Sequence, residues 1–254
     1  MTKTVAIVNQ KGGVAKTTTT INLGACLAKL GKRVLLVDCD PQGNAGSGLG
    51  VQRRDLQYCV YDLLINDAPA EAVLRHTATE NLDIMPATIR LAGAEAELVT
   101  AISREVKLRR ALKSVADRYD YILIDSPPTL GGWVMNIMCA SDYVVIPVEA
   151  SPWGLFGLAN MFEFIGQAKK IAPKLEVLGI AVTKADERKK YFKQTMETLG
   201  ELDSARLFEN YVRVDSAVEW AQDNSKPVVI YKKTSRSAVE YTKLAKEIVK
   251  YAHR

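Results

Sequence analysis

Gln10-Lys11-Gly12-Gly13-Val14-Ala15-Lys16-Thr17-Thr18-Thr19 lies between an apolar run of β type, Val5-Ala6-Ile7-Val8, and a helical run from Ile21 to Leu30. A glycine-bearing turn in that position directs several backbone N–H groups at one spot, and the start of the following helix adds positive potential. Lys16 can carry an ammonium to terminal phosphates, and the Thr17 hydroxyl can ligate Mg²⁺. The segment reads as a nucleotide-phosphate cradle, with Lys11, Gly12, Gly13, Val14, Ala15, Lys16, Thr17 and Thr18 as its contacts. A glycine-rich turn with incidental lysines is the other reading of these residues.

The loop departs from the pattern G-x-x-x-x-G-K-[ST] at both glycine positions, occupied here by Gln10 and Ala15, and it carries a second lysine, Lys11. The arrangement K-G-G-x-x-K-T-T resembles the deviant Walker A motif of the ParA/MinD ATPase superfamily. The resemblance implies two nucleotide-bound subunits facing each other, with Lys11 crossing to the partner's phosphates. If position 15 needs a positive φ, alanine there costs about 1 kcal/mol and weakens nucleotide affinity.

Around this loop, apolar strand-like runs recur at Val5–Val8, Val34–Val37, Leu82–Met85, Tyr121–Ile124, Tyr143–Val148 and Val177–Val182. Helical spacing lies between most of them, as in Val106–Val115 and Leu155–Ala168. Strands apolar throughout, alternating with helices, predict an α/β fold: a mostly parallel twisted sheet with helices on both faces. No repeat, low-complexity tract or linker divides the chain, so residues 1–254 are expected to form one domain.

Apolar content of 48% with 25% charged residues is ordinary for a globular protein, and no apolar run approaches the ~20 residues of a membrane span. The N-terminus begins a strand almost at once, leaving no room for a signal peptide. Cys26, Cys39, Cys59 and Cys139 lack C-x-x-C spacing, and His76 and His253 are the only histidines, which argues against a zinc or iron–sulfur site and for reduced thiols in a cytoplasmic protein. A formal charge of +5 permits a polyanionic partner without demanding one.

Val34-Leu35-Leu36-Val37-Asp38-Cys39-Asp40-Pro41-Gln42-Gly43-Asn44 puts two carboxylates at the end of a strand that should face the ligand crevice. Alone it equally fits a polar turn. It closely matches the D-x-D-P-Q-G-N stretch of ParA-type proteins, which implies that Asp40 orients the attacking water and that Asp38 supports the metal's water shell. Tyr121-Ile122-Leu123-Ile124-Asp125 has Walker B form, with Asp125 placed to hold Mg²⁺ directly or through water. The following Ser126-Pro127-Pro128, with Gly131, Gly132 and Asn136, resembles the family's second switch, and Asn136 is expected near the dimer interface.

Thr183-Lys184-Ala185-Asp186 ends a later strand, where related proteins contact adenine; Thr183, Lys184 and Asp186 are therefore candidate base contacts, against the reading of a strand end with solvated charges. The stretches Glu209–Ala217, Lys226–Tyr231 and Ser235–Tyr241 resemble the C-terminal part of short ParA proteins. In that family basic residues here bind DNA without sequence preference once ATP has closed the dimer. The matching arginine is Arg213, with Lys232, Lys233, Arg236, Lys243 and Lys246 as further candidates; solvated lysines on an exposed face are the alternative. The basic cluster Arg104 to Arg118 reads as a solvated face.

Taken together, the resemblance implies an Mg–ATP-dependent ATPase with catalytic Lys11, Lys16 and Asp40. It would form a homodimer on ATP binding, associate with the nucleoid, hydrolyse slowly without a ParB-like activator, and position a chromosome, a plasmid or other DNA cargo, the positioning of a protein assembly being one alternative. A MinD-like membrane-surface protein is the other. Only ten residues precede Lys11, too few for a helix-turn-helix, and the final segment (Tyr241, Leu244, Ala245, Ile248, Ala252) suits packing on the sheet better than a membrane surface, so no stable membrane association is expected. An iron-protein relative needs paired cysteines, and a tyrosine-kinase relative needs a tyrosine cluster; neither is present.

Overall fold

Every apolar run forms a strand in the computed structural model, which describes residues 1–151 and 154–252. The strands are β1 (Lys3–Ile7), β2 (Val34–Asp38), β3 (Arg75–His76), β4 (Leu82–Met85), β5 (Tyr121–Asp125), β6 (Tyr143–Glu149) and β7 (Glu176–Thr183). They form one sheet in the order β3-β4-β2-β5-β1-β6-β7. All pairings are parallel except β3 with β4. The two-residue β3 lies outside the sequence expectation because neither Arg75 nor His76 is apolar. Pairing at an edge, not burial, makes it a strand.

The helices that cover this sheet and frame its working edge are α1 (Lys16–Lys29), α2 (Lys107–Ala116), α3 (Gly132–Cys139), α4 (Leu158–Ile171), α5 (Ser216–Asp223) and α6 (Arg236–Tyr251). Alternation within the strands divides the core in two. Ala6, Leu35, Val37, Ile122, Ile124, Val144 and Ile146 face one layer, built on α2, α3 and α4. Val5, Ile7, Val34, Leu36, Leu123 and Val145 face the other, built on α1, α5 and α6. Burial on both faces explains why the strands are apolar throughout. The helix expected from Leu155 begins at Leu158, because Gly157 before it has a φ of 86° and cannot extend the helix.

The apolar stripe of α6 is fully used. Tyr241, Leu244, Ala245 and Ile248 are at most 1% exposed, and they pack into the layer that contains Leu23 and Leu27 of α1. The packing expectation holds for this helix, so its apolar face is not available to a bilayer. Among the described residues no helix is long and apolar enough to cross a membrane.

α1 begins at Lys16, ahead of the expected Ile21, and its start is unusual. Asp215 caps α5 by accepting from Ala217 N, and Ser235 caps α6 by accepting from Ala238 N, but no side chain at the N-cap position caps α1, α2, α3 or α4. What sets α1 apart is a non-glycine residue in the left-handed region there. Its N-cap is Ala15, held at φ 63°, ψ 33°. The left-handed region is the condition under which alanine carries strain. Ala15→Gly should therefore stabilise the protein by about 0.5–1 kcal/mol, the relieved strain being partly offset by the greater entropy of unfolded glycine. Urea denaturation without nucleotide measures it; an unchanged or lower midpoint would contradict the strain.

Candidate functional site

The sheet register gathers the carboxylates. Ile7 of β1 lies opposite Asp125 of β5, which lies opposite Asp38 of β2, all at the C-terminal ends of adjacent strands. The loop after β1 crosses this edge. Beside it opens a cavity of about 500 Å³ lined by Gly12, Gly13, Ala15, Lys16, Thr17, Thr18 and Asp40 on one side, and by Thr183, Lys184 and Val212 to Asp215 on another. This is the crevice of an open parallel sheet, at the neighbouring strands β1 and β5, whose onward connections lead to opposite sides of the sheet.

The loop is braced from behind. Asn9 Nδ2 donates to Pro147 O at 2.7 Å, Lys11 N donates to Asn9 Oδ1 at 2.9 Å, and Thr183 Oγ1 donates to Val14 O at 3.1 Å. Gly13 has a φ of 77°, and a Cβ built at Gly12 or Gly13 meets nothing within 4 Å, so both glycines leave open space above the backbone. Among the described residues, the N–H groups of Gly12 to Thr18 have no acceptor in the chain. Gly12 and Gly13 are exposed, but from Val14 to Thr18 the residues are buried or half-buried, and N–H groups left in that state require an outside partner. Their convergence at an uncapped helix start fits a phosphate chain.

Lys16 is buried, and its ammonium folds back to Lys11 O at 3.0 Å. Burial lowers its pKa, while Asp125 and Asp40 act in the opposite direction. Lys11 points elsewhere: its Nζ lies 3.1 Å from Glu149 Oε2 and 3.4 Å from Ser151 Oγ, and it is not among the residues lining the cavity. Glu149 is the last residue of β6, so the early lysine is held by its own chain at a strand end.

The three aspartates differ in what they touch. Asp40 lines the cavity and accepts from Gln42 N through Oδ1 at 2.9 Å. Asp38 accepts from Asp40 N through Oδ1 and from Ala45 N and Gly46 N through Oδ2, at 3.2, 3.0 and 3.1 Å. It thus fastens the loop that presents Asp40, and Gly43 permits the turn: its φ is 61°, and a Cβ there would lie 2.7 Å from Ala87 O. Asp125 accepts from Thr20 Oγ1 at 3.1 Å through Oδ1, whereas its Oδ2 is the one buried side-chain polar atom without a partner among the described residues.

Burial pushes the Asp38 carboxyl up, against the pull of backbone hydrogen bonds from Gly46 and Asp40. Burial, then the Asp38 charge, push Asp125 up, against the pull of the Thr17 and Thr20 hydroxyls. Two such carboxylates, one with an orphan oxygen, fit a divalent cation and its water shell beside Thr17, because the ion's charge would favour the anionic form of both against the effect of burial.

Other candidates are dispersed. Thr183 and Lys184 line the cavity, Lys184 at a φ of 50°, but Asp186 does not; its carboxylate is paired with Arg188, Nε to Oδ1 at 2.8 Å. Asn136 is 2% exposed and its amide is engaged within its own chain, accepting from Leu108 N at 3.0 Å and donating to Arg104 O. Lys232, Lys233, Arg236, Lys243 and Lys246 are exposed, the last three along one stripe of α6. Arg213 is instead half-buried between Glu187 and Glu240.

Sequence reasoning missed the wall formed by Val212, Val214, Asp215, Val218 and Gln222, and the carboxylates that fix it. Glu247 accepts from Glu209 N and Asn210 N at 2.9 and 2.8 Å, Glu240 accepts from Arg213 N at 2.8 Å, and Asp215 accepts from Ser237 N at 2.9 Å. The available signal was acidic residues, Glu240 and Glu247, spaced one heptad apart beside the apolar stripe of a helix. Glu95 was missed also: it accepts from Gly132 N at 2.7 Å, holding the start of α3.

Comparison with known proteins agrees with this geometry. The family model described as "AAA domain" matches residues 2–177. The chain is 47% identical over 249 residues to the sporulation initiation inhibitor protein Soj of Bacillus subtilis, covering 98% of each. It is 40% identical over 250 residues to the chromosome-partitioning ATPase Soj of Treponema pallidum, again covering 98% of each. Its fold superposes with a TM-score of 0.90 on cobyrinic acid a,c-diamide synthase of Mycobacterium smegmatis with bound ATP analog and magnesium, at 31% identity, covering 100% of this chain and 96% of that one. With the deviant phosphate loop, the paired strand-end aspartates and this full-length likeness all in place, the chain belongs to the ParA/Soj family of chromosome-partitioning ATPases.

Proposed function

We propose that residues 1–254 form one ATPase domain that uses Mg²⁺ and ATP, dimerises with nucleotide, binds DNA without sequence preference in that state, and positions a chromosome, plasmid or other DNA cargo with a ParB-like activator. The observation that carries the ATPase reading is the meeting of unpartnered N–H groups, Lys16 and Asp40 around one cavity. Backbone groups of Gly12 to Thr18 hold the phosphates, and the Lys16 ammonium balances charge at their terminal end. Asp40 receives the hydrogen bond of the attacking water and orients it. Thr17, Asp125 and Asp38 would hold Mg²⁺ or its water shell, and the ion would supply charge neutralisation between phosphates. Thr183 and Lys184 stand on the side of the cavity where the base is expected.

Lys11 has a separate place in this reading. Its pairing with Glu149 keeps the ammonium away from the chain's own cavity, and in a facing pair of subunits the same group is free to exchange that carboxylate for the partner's phosphates. The exchange replaces one half-exposed ion pair with contacts to a more highly charged group. Dimer formation would then depend on the nucleotide's terminal phosphate.

The DNA reading is supported by the exposed Lys232, Lys233, Arg236, Lys243 and Lys246, none of which faces a carboxylate in an ion pair among the described residues. Such a surface suits backbone phosphates, with nucleoid association as its cellular consequence. The membrane-surface alternative loses support from the burial of the apolar stripe of α6. Liposome co-sedimentation separates the two: ATP-dependent pelleting would favour the membrane.

Lys16→Ala should weaken ATP binding by about 10–100-fold, the range of a missing hydrogen bond to a charged group, in calorimetry with magnesium present. Retention of wild-type affinity would remove Lys16 from the cradle. Asp40→Ala should keep ATP affinity yet lower phosphate release by about 100-fold or more, and rapid turnover would contradict the water-orienting role. Lys243→Ala with Lys246→Ala should flatten the slope of log duplex affinity against log salt by about 0.9 for each phosphate no longer neutralised. An unaltered slope would place the DNA surface elsewhere.

A further inference from the structure

Among the described residues, Arg213 is the cation of the proposed DNA surface that is already ion-paired with carboxylates. Its Nε lies 2.5 Å from Glu240 Oε1, and its Nη1 lies 3.0 Å from Glu187 Oε2. One guanidinium between two carboxylates leaves this spot with excess negative charge, partly offset by Arg236 nearby, whose Nη2 donates to Val214 O at 2.5 Å. A phosphate approaching Arg213 meets repulsion before it meets a free donor.

The two carboxylates are not equivalent. Glu240 is 7% exposed and also accepts from the backbone N of Arg213, so it is a fixed part of the wall. Glu187 is exposed and stands on the loop after β7, where its other partner is the Tyr211 hydroxyl. That loop and the Arg213 segment are joined edge to edge: Ala185 N donates to Val212 O, and Val214 N donates to Ala185 O, each at 3.0 Å. Both then line the nucleotide cavity, through Thr183 and Lys184 on one side and Val212 to Asp215 on the other.

From this arrangement we infer that Glu187 is a positioning residue that gates the polyanion surface. Its carboxylate competes with phosphate for Arg213 Nη1, keeping the nucleotide-free protein off DNA. Arg213 lines the nucleotide cavity, and Glu187 stands three residues beyond the lining Lys184 on the same loop, so occupancy of the cavity acts on the contact through that loop and releases the arginine. The inference rests on the DNA-binding reading above and adds to it the residue that makes binding conditional.

The test is fluorescence anisotropy of a short labelled DNA duplex of arbitrary sequence, titrated with each protein over a range of salt, without nucleotide and with Mg–ATP. Glu187→Gln should bind the duplex without nucleotide about fivefold more tightly than wild type, the scale of one exposed charge pair. Its log affinity against log salt should steepen by about 0.9 per protomer, as one further phosphate is contacted. Glu187→Asp should behave as wild type, and Arg213→Ala in the Glu187→Gln background should abolish the gain. Glu187→Gln should bind a fluorescent ATP analogue up to the same fivefold more tightly, because the nucleotide no longer has to break the contact, and this gain also shows an intact cavity. If wild type holds the duplex with Mg–ATP, and without nucleotide Glu187→Gln and wild type have the same affinity and slope, the gate is overturned and the DNA reading stands. A gain that survives Arg213→Ala overturns the gate also. Failure of wild type to hold the duplex with Mg–ATP at low salt overturns the DNA reading, and the gate falls with it.

Discussion

A helix that starts without a cap is an electrostatic demand, and the working face of this protein is arranged around it. The first turn of α1 and the loop before it present N–H groups that no atom of the chain satisfies among the described residues. The neighbouring strands supply no substitute. Instead they bring carboxylates to the same edge, where a cation must accompany whatever anion the helix attracts. Anion and cation are thus required together, as Mg–ATP supplies them. The register of β2, β5 and β1, in which Val34 to Val37 and Tyr121 to Ile124 alternate between the two core layers, is what puts both demands at one edge.

The sheet was legible in the sequence because its strands are buried on both faces and carry little else but apolar residues. Six of its strands follow from that signal, and the edge strand β3 does not, since Arg75 and His76 owe their conformation to pairing with β4. The phosphate loop and the aspartates at the ends of β2 and β5 were legible for a related reason: each directly follows an apolar run, so position along the sheet could be counted off. Asp38 illustrates the limit. Its chemistry was visible, but both of its oxygens hold the backbone of the loop beyond it, a partnership no local pattern encodes.

The second wall of the cavity was hidden because it is assembled from residues distant in sequence. Val212 to Asp215 reads as an irregular stretch, and what orders it is a pair of glutamates reaching back from α6. Arg213 was found by resemblance, yet its environment was not: the sequence offers the arginine, and only the fold brings Glu187 and Glu240 to it. Charges near one another along the chain can be weighed by inspection. Charges made neighbours by topology cannot.

The last helix therefore does more than close the core. By holding residues 209, 210, 213 and 215 through Glu247, Glu240 and Ser237, it acts as the template on which the outer side of the crevice is laid down. A recombinant that exchanged only the tail with that of a cousin would import a foreign set of anchors, and the pocket would lose its shape although no residue touching the ligand had altered. In lineage terms, the strip from Glu209 to Asp215 and the helix behind it should drift as one heritable block.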